Sequence, residues 1–127
     1  MEKVTVTSLK KFIDESEIKL KCTQPKLCVP IIDRLYRKMK VHILFADIKV
    51  DGDWICNGHH RYLASLLAKV PIGITIGLKT TGNSVKDWKL IEYDVYDWDT
   101  SEDIDKYDRE DAEFSGLSLN QLLDLLK

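Results

Sequence analysis

Ile48-Lys49-Val50-Asp51-Gly52-Asp53-Trp54-Ile55-Cys56-Asn57-Gly58-His59-His60-Arg61-Tyr62-Leu63-Ala64 is the stretch on which the fold turns. Leu44, Ala46, Ile48 and Val50 alternate with Phe45, Asp47 and Lys49, and a period of two marks a half-buried strand over residues 44–50. Asp51-Gly52 is a tight-turn pair, because glycine accepts positive φ and aspartate tolerates it. Trp54-Ile55-Cys56 is then the return strand of a hairpin. Asn57 has the side chain of a helix N-cap, and the helix runs to about Lys69. Leu63, Ala64, Leu66, Leu67 and Val70 supply its buried face.

On the N-terminal side, Ser8 followed by Leu9, Phe12 and Ile13 predicts a short capped helix. Residues 15–24 are polar and read as irregular chain or a short strand. Pro30 suits the first turn of a second helix, whose stripe is Ile31, Ile32, Leu35, Tyr36 and Met39. On the C-terminal side, Val70, Ile72, Ile74, Ile76 and Leu78 alternate without a miss and predict a strand. Its other face is Pro71, Gly73, Thr75 and Gly77, so another element or a ligand must approach that backbone closely. Thr80-Thr81-Gly82-Asn83 reads as a loop and residues 89–98 as an aromatic-rich strand. Residues 99–116 are acidic and weakly patterned. Ser118 with Gln121 forms a capping box ahead of Leu119, Leu122, Leu123 and Leu126, a closing helix.

These elements predict an α/β (α+β) class: a compact domain with a small mixed sheet and helices over residues 1–98. An acidic extension ending in a helix follows over 99–127. At 127 residues the chain can bury a core without staples. No apolar run reaches the length of a membrane span, and Met-Glu-Lys-Val-Thr-Val lacks the apolar core of a signal peptide. Cys22, Cys28 and Cys56 are odd in number and form no CxxC pair, which argues against a disulfide framework or a thiolate zinc site. A cytoplasmic location without membrane contact is the expectation.

The net charge of −2 conceals a division. Residues 1–91 carry 16 Lys/Arg against 9 Asp/Glu, a net +7, and residues 92–127 carry 3 against 12, a net −9. A basic body attracts phosphates, and the acidic end is expected to lie against it through weak, mobile surface pairs that partly screen a phosphate site.

That phosphate site is expected at Asn57, Gly58, His59, His60 and Arg61. Glycine at the strand-to-helix corner admits a ligand close to the backbone, and the first helical turn leaves unpaired N–H groups at a positive dipole end. Both histidines add donors, and Arg61 can grip a phosphate through two parallel bonds. An isolated His-His pair is more often a solvated corner with one ring packed. Here the glycine turn, the helix start and the charge coincide, which favours a site. His59 and His60 are the candidate catalytic residues, and no residues are assigned to a protein-held metal.

At these residues the chain resembles the ParB/sulfiredoxin superfamily. Ile48-Lys49-Val50 stands for its "PI-x-V" strand, Gly58-His59-His60-Arg61 for its "GxxR" turn opening a helix with an alanine, here Ala64, and Val70-Pro71 for the "VP" strand that follows. The likeness covers roughly residues 28–79. The "GHHR" form is similar to small bacterial and archaeal members, some of which are free-serine kinases. The resemblance implies a compact domain binding a nucleoside di- or triphosphate with Mg2+ at this helix start, for phosphoryl transfer or NTP hydrolysis. It also implies a carboxylate base from the N-terminal part, for which Glu15 and Glu17 are candidates. Asp47 stands where the motif has proline. His59 stands where sulfiredoxins carry their reactive cysteine, and Cys56 precedes the turn, so thiol repair does not fit. The acidic residues after the core leave no room for a DNA-partition helix-turn-helix region.

Two other classes stay open. A metal-dependent ParB-like or His-Me-finger nuclease would use His59 or His60 to activate water, with Asn83 completing the metal site and DNA as the partner. A non-catalytic interaction or immunity-type protein would use the acidic C-terminal end against a basic partner. The expected partner on the leading view is a nucleotide or a phosphorylated small molecule, and a dimer is compatible with it.

Overall fold

The computed structural model describes residues 2–78 and 84–127 of the chain; the predicted loop at residues 80–83 lies outside the described residues. Among the described residues, helices and short strands mix as the sequence implies. In order they are α1 (Val6–Glu15), β1 (Lys26–Cys28), α2 (Val29–Lys40), β2 (Ile48–Asp51), β3 (Trp54–Asn57), α3 (His59–Ala68), β4 (Ile74–Ile76), β5 (Glu92–Asp94), α4 (Ser101–Phe114) and α5 (Leu119–Leu125). One sheet has the order β3-β2-β4, with β2 and β3 antiparallel and β2 and β4 parallel; β1 and β5 pair in parallel apart from it.

Gly52 takes φ +63° and makes the Asp51-Gly52 hairpin as expected. β3 then carries a bulge: Val50 faces Ile55 but Lys49 faces Asn57, so Cys56 is the extra residue. A parallel partner for β2 needs a crossover, and α3 supplies it between β3 and β4. That helix lays Leu63 and Ala64 on a core shared with Ile48 and Ile55 from the sheet, Ile32 and Met39 from α2, and Leu9 and Ile13 from α1. The first helix is capped by Thr5, with Ser8 as its reciprocal partner three residues in, rather than by Ser8 itself.

The strands are shorter than their alternation implies. Leu44 and Ala46 are exposed and outside β2, because Ile43 and Phe45 on either side of Leu44 turn to a second apolar cluster with Ala112 and Leu122. Pairing over residues 70–78 is confined to β4, the sheet edge, and Ile74, Ile76 and Leu78 overhang into solvent, Ile76 at 91% exposure. The opposite face is met by protein, as its glycines require. A Cβ on Gly73 would collide with the Asp47 carboxylate, and one on Gly77 would lie 3.0 Å from Lys49 Cβ and 3.2 Å from Cys56 Cβ. Residues 89–98 form only the short β5.

The largest departure is α4. Thr100 caps it and Asp103 reciprocates, so a segment that reads as weakly patterned forms fourteen residues of helix. Nor is it held by loose surface pairs. Lys38, 5% exposed at its side chain, sits 2.7 Å from Asp108 and 2.8 Å from Asp111. Arg34 binds Asp97 and Asp99 on the strap leading into α4. Ser118 and Gln121 cap α5 as expected.

Candidate functional site

Residues 57–61 are the corner between β3 and α3, but the cap is Gly58, not Asn57. Gly58 adopts φ +102° and ψ +28°, and α3 has no side-chain cap at all. A helix without one leaves the N–H groups of its first turn to be satisfied by water or a ligand. Asn57 stays in β3, and its Oδ1 accepts from Arg61 Nη2 at 2.7 Å.

Arg61 is more anchor than gripper. Its Nη1 also donates to the carbonyls of Ala46 at 2.9 Å and Asp47 at 3.3 Å. Two of these three bonds tie the start of α3 to the segment entering β2, and the third ties it to the end of β3. The expected two-bond grip on a phosphate would require some of them to be exchanged.

The histidines are locked as neutral rings. His59 is buried, and its Nε2 accepts the backbone N–H of Thr23 at 3.0 Å. Thr23 gives its hydroxyl proton to the Ile55 carbonyl at 2.6 Å. His60 Nε2 accepts the N–H of Cys28 at 2.9 Å, and its ring meets Trp98 edge-on at 5.4 Å. A backbone N–H can only donate, so Nε2 is unprotonated in both rings and the proton resides on Nδ1. Burial pushes both rings down from 6.5 to about 4, and the neighbouring His59 adds to the effect at His60. What each ring has left to offer is an Nδ1–H donor; the lone pairs a general base or a metal would use are already engaged.

This corner is one wall of a cleft of about 670 Å3, within the range of small-molecule sites. Asn57, Gly58, His59, His60 and Arg61 all line it. Facing them are Arg34 and Lys38 of α2, Asp99 of the strap, and Glu110 and Asp111 of α4. Among the described residues three cations and three carboxylates line the space, so these charges balance rather than leaving it positive. Burial raises the Asp111 carboxyl despite the opposing pull of Lys38. Leu44, Phe45, Tyr107 and Phe114 also line the cleft.

The sequence reading misses this second wall. Its signal is present: Tyr107, Asp111 and Phe114 are spaced for one helical face, behind the Thr100 and Asp103 cap. Glu15 and Glu17, the candidate bases, do not line the cleft. Among the described residues no group of three His, Cys, Asp or Glu side chains is placed to hold a metal ion, and Asn83 lies outside them. The thiols of Cys22 and Cys28 are buried, and burial pushes Cys22 up to about 11, so it stays protonated. Among the described residues no helix is long and apolar enough to cross a membrane. No protein-family model, curated protein or solved structure matches the chain.

Proposed function

We propose that this protein binds a nucleoside di- or triphosphate, or a related phosphorylated small molecule, with the phosphates at the N-terminus of α3. One observation carries this reading: a helix start without a side-chain cap, beginning with two neutral imidazoles whose Nε2 atoms are engaged and whose Nδ1–H groups have no hydrogen-bond partner among the described residues, lines a ligand-sized cleft. Backbone and imidazole N–H groups together suit phosphate oxygens. Arg34 and Lys38 can trade a carboxylate for a phosphate oxygen, which makes binding an exchange of ion pairs rather than capture by free charge.

The opposite wall fits Mg2+ arriving with the ligand. Magnesium is commonly held by one or two carboxylates plus substrate phosphates, without a protein cage, and Glu110 and Asp111 are the carboxylates that would hold it. When bound it would neutralise charge developing on the phosphate oxygens. Phosphoryl transfer or NTP hydrolysis in the cytoplasm is the activity this arrangement favours, as the likeness to the ParB/sulfiredoxin superfamily also implies. His59 and His60 then act as fixed donors to the phosphates.

A thermal-shift screen of ATP, ADP, CTP and GTP with Mg2+ tests the reading. At a hundredfold excess over Kd, binding stabilises the native state by about 2.7 kcal/mol, which raises Tm by on the order of 10 °C. At least one nucleotide should produce that shift while adenosine does not. Unchanged melting with every nucleotide at millimolar concentration refutes it.

A further inference from the structure

The outer edge of β4 is open. The Gly73 C=O accepts from the Ile48 N–H at 2.9 Å, and the Gly77 N–H donates to the Val50 C=O at 3.0 Å. Backbone groups of alternate residues turn to opposite sides of a strand, so the odd-numbered residues serve β2. Those of Ile74 and Ile76 point outward, where no strand among the described residues pairs with them. The side chains leave the same edge bare. Ile48 stands opposite Ile74 and Val50 opposite Ile76 in a parallel pair, so all four lie on one face of the sheet. Ile48 and Val50 are buried, whereas Ile74, Ile76 and Leu78 are 56%, 91% and 84% exposed. Edge strands left in solvent usually carry charges, proline or bulges that discourage pairing. Residues 70–78 carry no charge, and their one proline, Pro71, precedes the strand. Beside the start of this segment lies a hollow of about 350 Å3, lined by Met39, Ile43, Phe45, Val70 and Ile72, with His42 the ionisable group among its walls.

We propose that β4 pairs antiparallel with β4 of a second copy of this chain, about a two-fold axis at Thr75. Only the outward residues can bond across the edge, so even-numbered residues must face even-numbered ones. With Thr75 on the axis, Ile74 faces the partner's Ile76 and Ile72 faces the partner's Leu78, each twice. Side chains directly opposite in such a pair stand roughly 4.5–5.5 Å apart, so the isoleucines cover one another. The partner's Leu78 comes beside Ile72, at the wall of the hollow. A two-fold contact has to be self-complementary, and this segment is: its exposed end is apolar and its other end flanks an apolar recess. A foreign strand could satisfy the backbone groups, but the antiparallel copy also fills the recess. None of residues 70–78 lines the cleft at the start of α3, so this contact and the phosphate site stand or fall separately.

Sedimentation equilibrium of the full chain, from micromolar to near-millimolar concentration, tests the pairing. The mass should rise with concentration from 14.7 kDa toward twice that value. Ile74→Glu and Ile76→Lys each set an unpaired charge against an isoleucine, and each should stay monomeric over the whole range. Mixed in equal amounts they should associate again, with a Kd within about tenfold of the parent's, because Glu then faces Lys on one side of the axis and Ile faces Ile on the other. Should either variant lose the parent's circular dichroism, amide exchange in the parent decides instead: the Ile74 and Ile76 N–H groups must slow as concentration rises, and unchanged rates refute the pairing. A dimer that survives both substitutions, or variants that stay apart on mixing, overturns the proposal. A parent that is monomeric throughout also overturns it and leaves the edge to a strand from another protein.

Discussion

Gly58→Ala should lower the free energy of unfolding by about 3 kcal/mol and abolish the proposed nucleotide binding. Two costs add. An L-residue in the left-handed region costs roughly 1–2 kcal/mol, and forcing a methyl group into packed surroundings costs roughly 1–3 kcal/mol. Here the new Cβ would lie 2.6 Å from Ile48 Cγ2, 3.0 Å from Ile48 Cβ and 2.9 Å from Arg61 Nη2. Ile48 is fully buried in the central strand and has nowhere to move. Arg61 could swing away, but only by releasing the bonds that hold the start of α3. Gly52→Ala is the matched control: φ is also positive, at +63°, but nothing lies within 4 Å. Its cost should stay near 1 kcal/mol. Urea denaturation of both variants distinguishes strain with collision from strain alone, and equal costs would disprove the packing account.

Acid should destabilise the protein well before the carboxylates titrate. Folding holds His59 and His60 at about 4 against an ordinary 6.5, so between those values the unfolded chain binds more protons. The contribution of the neutral rings is therefore complete above pH 6.5 and is lost as pH falls toward 4. Each pKa unit is worth about 1.4 kcal/mol, which sets a ceiling of roughly 3 kcal/mol for a fully buried ring. Asp97, held below its ordinary range by Arg34, loses its contribution only below that window. Asp111 has the opposite sign, because burial raises it and protonation relieves the cost, so it offsets part of the loss. Urea midpoints should fall steadily from pH 6.5 to 4.5. A flat profile, or imidazole resonances of these two rings titrating near 6.5, would contradict the locked neutral state.

The residues show why part of this was legible. The hairpin turn, the proline at the start of α2 and the cap of α5 all depend on contacts within a few residues, and each appears where the sequence puts it, while α3 starts one residue later than an Asn57 cap implies. The roles of the histidines do not. They are set by Thr23 and Cys28, 36 and 32 positions away, whose N–H groups claim the Nε2 lone pairs. Arg61 looks like a phosphate ligand by type, yet its partners are carbonyls brought near by the turn into β2. The alternation through residues 70–78 is real, but period reports which side a residue faces and not whether anything covers that side; β4 is an edge. The charge division was visible as composition. Its consequence, a helix pinned by Lys38 and forming the far wall of the cleft, required the fold.

An NMR titration with ATP and Mg2+ tests most directly the proposed seat of phosphate oxygens on the first turn of α3. The backbone amides of His59, His60 and Arg61, together with the Nδ1–H protons of both rings, should shift saturably with one common Kd, while adenosine at the same concentration leaves them in place. Saturable shifts confined to other parts of the chain, with these amides and imidazole protons unmoved, would contradict it.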